Sequence, residues 1–87
     1  MLDVDMIFED GRKQTLTVDL PSLIGKDPSS QIHIDYWRVG KTHAKITRTG
    51  DFLQIQDLGS FIGTRINGAS KSYHYPLLPT DEVIIGP

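Results

Sequence analysis

The segment Asp57-Leu58-Gly59-Ser60-Phe61-Ile62-Gly63-Thr64-Arg65-Ile66-Asn67-Gly68 closes one alternating run, crosses a loop and turns back on itself. Residues 52–57 alternate apolar and polar side chains over most of their length, the period of a strand with one buried face. Residues 65–67 resume that pattern briefly. Asn67-Gly68 then supplies a turn signal, because both residue types tolerate positive φ. No helix fits a stretch punctuated this often.

Outward from this segment the period of two continues. Leu2, Val4, Met6 and Phe8 alternate with Asp3, Asp5 and Ile7, and Leu16, Val18 and Leu20 alternate with Thr15, Thr17 and Asp19. These runs predict strands over 2–8 and 16–20, with Asp10-Gly11 as a tight hairpin turn between them. Shorter strands are predicted over 23–25, 32–34, 44–48, 52–57, 65–67 and 82–85, with Thr49-Gly50-Asp51 as a further turn. Eight glycines and five prolines leave no window of a dozen residues with helical spacing. The expected fold is a single all-β domain over residues 1–87, an antiparallel sandwich or barrel.

Composition narrows the function. Eighty-seven residues bury only a little over ~60% of the unfolded surface, so the core must be compact. There is no cysteine, hence no disulfide framework and no thiolate metal site. A net charge of −2 argues against a dedicated nucleic-acid binder. The longest apolar runs are three residues, so no membrane insertion is expected, and Asp3 and Asp5 stand where a signal peptide needs basic residues. A cytoplasmic location is the expectation. Charge is segregated: residues 1–37 carry seven acids and three bases, while residues 38–71 carry six bases (Arg38, Lys41, Lys45, Arg48, Arg65, Lys71) and two acids. That basic middle suggests an anionic ligand.

No constellation for catalysis is present. Ser60 in Gly59-Ser60-Phe61-Ile62-Gly63 is one residue out of the G-x-S-x-G order, and no helix follows it. His33, His43 and His74 lack the spacing of a metal cluster, so neither metal nor cofactor is expected.

Four segments, in order, carry a resemblance: Ile24-Gly25-Lys26, Gly40-Lys41-Thr42-His43-Ala44, residues 57–68, and residues 76–86 with Leu77-Leu78-Pro79-Thr80-Asp81-Glu82-Val83-Ile84-Ile85-Gly86. Together they resemble the forkhead-associated (FHA) domain over roughly residues 20–86, whose outline runs I-G-R, S-R-x-H-A, D-x-x-S-x-N-G-T-x-x-N-G and L-x-x-G-D-x-I-x-I-G. The resemblance implies an antiparallel β-sandwich of about eleven short strands with binding loops at one end, and a phosphothreonine peptide as ligand. It also implies that 82–85 is the penultimate strand. A final strand should then return beside residues 2–8, so the chain is expected to be the N-terminal part of a longer protein. Without that strand an exposed edge and a weak dimer are expected.

Carried over by position, the pocket departs from the family. The arginine after I-G is Lys26, which keeps charge but loses the bidentate fork. The serine of S-x-x-H is Gly40. The following basic residue is kept as Lys41. The asparagine that grips the peptide main chain is Ile62, and Phe61 precedes it. The loop-bracing residues His43, Ser60, Gly63 and Thr64 are retained, and Asp57 likewise matches a position that holds the loop and not the ligand. Hydrogen bonds to charged groups contribute ~1.5–3 kcal/mol, so losing two removes ~3–6 kcal/mol and takes a micromolar complex to about millimolar or weaker. The expected function is a non-catalytic interaction module, in signalling or secretion, with weakened or altered phosphothreonine recognition. It would bind through Lys26, Arg38, Gly40, Lys41, Thr42, Phe61 and Ile62. One alternative is an ordinary phosphothreonine reader anchored by Lys26, Lys41 and Arg38. Another is a structural docking domain in a bacterial secretion or pilus assembly ATPase or ring, so that the whole protein could be an enzyme although this domain is not. Tyr36 and Trp37, apolar on the same group of loops, are expected either to contact a partner or to fold back on the core.

Overall fold

The computed structural model describes residues 1–86, which form ten strands and no helix. In chain order these are β1 (Leu2–Ile7), β2 (Lys13–Val18), β3 (Ser22–Gly25), β4 (Ile32–His33), β5 (Ala44–Thr49), β6 (Phe52–Asp57), β7 (Thr64–Ile66), β8 (Ala69–Ser70), β9 (Tyr73–Leu77) and β10 (Val83–Ile85). They assemble as a β1-β2 hairpin, a β10-β7-β8 sheet and a five-stranded sheet in the order β4-β3-β5-β6-β9. All pairings are antiparallel except the two-residue contact of β3 with β4, which is parallel.

Alternation explains the core. Val18, Ile24, Ile32, Ala44, Ile46, Ile55 and Ile66 form one buried cluster with members from all three sheets, and Leu2, Val4, Met6 and Leu16 pack on it from the first hairpin. A two-stranded ribbon is marginal alone, so this apolar face is what holds β1 and β2 to the body. Their outer face is polar, with the Thr15 and Thr17 hydroxyls donating to the Asp5 and Asp3 carboxylates across the pair. Ile7, expected on that outer face, is exposed.

Several local expectations are corrected. The strand expected over 16–20 begins at Lys13 and stops at Val18. The turn before it is wider than a two-residue Asp-Gly turn. The Phe8 N–H donates to the Arg12 carbonyl and the Gly11 N–H to the Phe8 carbonyl, and of Asp10 and Gly11 only Gly11 is left-handed, at φ 89°. That is the three-residue loop closed by a left-handed glycine. Asn67 and Gly68 are both left-handed (φ 52° and 85°), the two-residue turn that folds β8 onto β7. Strand β9 was not expected, because Tyr73-His74-Tyr75-Pro76-Leu77 contains a proline. It lies at the sheet's edge, where a missing N–H costs no ladder bond. Among the described residues β1 pairs with β2 alone and β10 with β7 alone. The final strand expected beside residues 2–8 lies outside the described residues.

Candidate peptide-binding loops

Three connections meet at one end: residues 26–31 after β3, residues 34–43 before β5, and residues 58–63 between β6 and β7. Gly25 makes the first junction. A Cβ there would lie 2.0 Å from the Lys41 carbonyl oxygen, so only glycine lets the second loop pass so close. Two main-chain bonds use that closeness, with the Lys26 N–H donating to the Gly40 carbonyl at 2.9 Å and the Asp27 N–H to the Lys41 carbonyl at 3.2 Å. The half-buried Lys26 and the exposed Lys41 are thereby held on adjoining segments.

His43 joins the second loop to the third. It is fully buried; its Nδ1 accepts the Gly40 N–H at 3.1 Å, and its Nε2 bonds the Gly63 carbonyl at 2.8 Å. A carbonyl can only accept, so the proton sits on Nε2 and the ring is a neutral spacer of fixed tautomer. The His43 backbone extends the tie, donating to the Ile24 carbonyl and accepting from the Leu58 N–H.

Asp57 organises the third loop. Its carboxylate accepts from the Gly59 N–H (2.9 Å), the Ser60 N–H (2.8 Å), the Ser60 hydroxyl (2.5 Å) and the Thr64 hydroxyl (2.8 Å). Ser60 Oγ in turn accepts the Gly63 N–H at 3.0 Å. Burial alone would raise the carboxyl pKa, but these donors, led by Ser60, outweigh it and hold Asp57 below its ordinary value. Ser60, Gly63 and the buried Thr64 are thus spent within the loop. Asp57, Ser60 and Thr64, which the family resemblance gives to holding the loop and not the ligand, are bonded to one another here. An Asp two and three residues before the amides it caps is a recurrent turn signal.

The third loop presents Phe61 to solvent at 93% exposure, and the second presents Trp37 at 76%. Tyr36 is half-buried and Val39 is 2% exposed, so that loop is pinned by Val39 while Trp37 stands out. Trp37, Arg38, Val39, Gly40 and Phe61 line an open groove of about 370 Å³. The Arg38 guanidinium lies 5.4 Å from the Trp37 ring centroid, a cation–π distance. Of the expected contact residues, Lys26, Gly40 and Lys41 come together through main-chain bonds, and Arg38, Gly40 and Phe61 through the groove. Thr42 is exposed and Ile62 half-buried, and neither lines the groove. His33 and His74 are engaged elsewhere, with the Lys26 carbonyl and with the Asp81 carboxylate, each at 3.0 Å.

Such a scaffold, a β-sandwich with cations and aromatics gathered on loops at one end, has the layout of a protein-interaction module. The FHA domain profile matches residues 22–86, and the chain belongs to the FHA domain family. It is 37% identical over 62 residues to an oxoglutarate dehydrogenase inhibitor of Corynebacterium jeikeium, with the match covering 71% of this chain but 42% of that protein. Among solved structures it is similar to Mycobacterium tuberculosis EmbR in complex with a low-affinity phosphopeptide. The TM-score is 0.76 at 27% identity, covering 95% of this chain and 21% of EmbR. It is also similar to an FHA domain from Chlamydia trachomatis, with a TM-score of 0.74 at 25% identity over 94% of this chain and 84% of that one.

Proposed function

We propose that this FHA domain binds an anionic segment of a partner protein, a phosphothreonine peptide in the first instance, with phosphate recognition weakened relative to a site equipped with directional donors. The observation that carries the reading is that Lys26 and Lys41 are held on adjoining segments next to Gly40, while Gly40 and Ile62, which stand where the family has its serine and asparagine, carry no side chain able to make a hydrogen bond. Two flexible ammonium groups supply attraction, but they supply neither the planar fork of arginine nor a hydroxyl. Likeness to an EmbR structure that holds a phosphopeptide supports the ligand class, and likeness to a dehydrogenase inhibitor supports a protein partner.

The test is to restore the donors. A Cβ on Gly40 would have His43 atoms as its nearest neighbours, at 3.4 Å or more, ordinary contact, and Gly40 is not left-handed, so Gly40→Ser is tolerated. With Ile62→Asn, each change is expected to return ~1.5–3 kcal/mol, together about two to four decades of affinity. Calorimetric titration with one phosphothreonine peptide and its unphosphorylated twin measures this. The gain should require phosphate and shrink with salt. Tight phosphate-dependent binding by the unaltered chain would overturn the weakening and favour the ordinary reader anchored by Lys26, Lys41 and Arg38.

A further inference from the structure

Three exposed aromatic side chains lie on one face of the five-stranded sheet, away from the loops. In the β5-β6 register Lys45 stands opposite Gln56, Thr47 opposite Gln54 and Thr49 opposite Phe52, while the alternate Ala44, Ile46 and Ile55 are buried in the core. Those six side chains therefore point outward. Strand β9 adds Tyr73, opposite Gln56, and Tyr75, whose ring meets the Phe52 ring edge-on at a centroid distance of 6.2 Å. Phe52, Tyr73 and Tyr75 are 50%, 53% and 43% exposed. Single exposed aromatics are ordinary, but three on adjoining strands make a patch.

Charge is almost absent from this face. Of these outward side chains Lys45 alone is charged, and it lies where β5 leaves the loops. Phe52 lies at the other end, by the turn that joins β5 to β6, with Tyr75 against it. Aromatics enriched and charges depleted is the composition of an interface core. The hydrogen bonds on the face are also self-complementary. The Gln54 side-chain carbonyl accepts from the Thr49 hydroxyl at 2.9 Å and from the Tyr73 hydroxyl at 3.0 Å, which fixes its orientation. The Gln54 amide nitrogen has no protein partner among the described residues, and the Tyr73 oxygen keeps its acceptor lone pairs. A free donor thus lies beside a free acceptor, so a face turned against its own copy about a two-fold axis finds the partners it lacks. A charged face would repel its copy there. Pairing along the free edge of β9 is less suited, because Pro76 withholds an N–H and the register shift between Leu53 and Ile55 bends the strand.

We infer that this face is the contact of a transient two-fold dimer of the chain, with Gln54 beside the axis. A fully covered aromatic side chain buries ~150–250 Å², so three that are about half exposed offer ~300 Å², and the neighbouring threonines and glutamines bring the face to roughly 500–600 Å². Two such faces bury about 1,000–1,200 Å², the size of a weak contact and short of the ~1,600 Å² of a standard one. A dissociation constant on the order of 100 µM is expected. The binding loops lie at the end of the sheet and stay uncovered, so the dimer presents two sets of them and gains avidity for a partner with two anionic segments. That consequence rests on the anion reading above; the dimer does not.

Sedimentation equilibrium of the intact chain, without peptide, over about 10 µM to 1 mM measures the association. Salt should change it little, because no charges meet at the centre of the contact. Gln54→Lys and Gln54→Glu each set like charges against one another across the axis. Each alone should weaken association at least about 10-fold, and an equimolar mixture of the two should recover it as a heterodimer. Phe52→Ser removes an exposed ring without altering Gln54 and should also weaken it about 10-fold. Ile7→Ser, at an exposed residue of the β1-β2 hairpin, is the control and should leave it unchanged. Circular dichroism melting checks that each variant is folded. A chain that stays monomeric throughout overturns the inference, the face then serving another partner or none. A dimer that survives both Gln54 variants, or a folded Phe52→Ser, overturns it as well and moves the contact elsewhere, to a free strand edge such as that of β1 or β10. Loss in both folded Gln54 variants with no recovery in their mixture removes Gln54 from the axis and overturns the two-fold arrangement.

Discussion

Replacing His43 by alanine should remove a large share of this domain's stability. The ring is fully buried and sits between two main-chain groups twenty-three residues apart, the Gly40 N–H and the Gly63 carbonyl, bonded at 3.1 and 2.8 Å. Truncation leaves both without a partner in a space alanine cannot fill. Each orphaned buried group costs ~1–3 kcal/mol, so the pair costs ~2–6 kcal/mol, with the lower end reached if water enters and bonds one of them. A domain of this length has a total stability of about 4–13 kcal/mol. The loss is therefore about 15% of the whole at the least and about half of it at central values. At ~4–8 °C per kcal/mol for a domain of this size, even the smallest expected cost lowers the melting temperature by about 8 °C or more. Urea and thermal denaturation followed by far-ultraviolet circular dichroism measure it. His43→Asn, which can replace at most one of the two bonds, should fall between wild type and alanine. A His43→Ala midpoint within ~0.5 kcal/mol of wild type would refute the bracing role, and if peptide binding were lost at the same time His43 would become a contact residue.

Two further outcomes follow from the same geometry. Gly25→Ala puts a methyl 2.0 Å from the Lys41 carbonyl oxygen, so loop 40–43 must move; we expect a loss of ~3 kcal/mol or more, with amide shifts concentrated at Lys26, Asp27 and residues 40–43, and near-wild-type stability would contradict it. The Asp57 carboxyl pKa is lowered in the folded state, so its contribution to stability is present above the ordinary value of 3.8 and is lost as pH falls through the lower folded value. Asp10, Asp27 and Asp81 shift the same way, so the Asp57 share is read from the difference between wild type and Asp57→Asn. That difference should narrow between about pH 5 and pH 2, and curves that stay parallel over this range would exclude the capping role.

Alternation with period two in residues 2–8 and 52–57, and the turn chemistry of Asn67-Gly68, are local properties, so an all-β chain was legible before any coordinate was known. The order of the four loop segments likewise pointed to the family. Strand β9 was not legible, because whether Pro76, which has no N–H to donate, breaks a ladder depends on whether a neighbouring strand needs a donor there, and only the sheet order puts it at an edge. Nor could Gly25 be told from any other glycine until the Lys41 carbonyl was seen to pass where its Cβ would be. The absence of hydrogen-bonding side chains at Gly40 and Ile62 was plain from their identities. Trp37 was undecided between cap and contact surface. Its exposure was settled by Val39, two residues on, which buries itself and leaves the indole outside, on a groove that Phe61 also lines. Residue type and spacing carry what a side chain can do within its own strand or turn. Which groups far apart in the chain come to share a groove or an imidazole is decided by packing, where hydrophobic burial and main-chain bonds from distant segments act on the same few atoms.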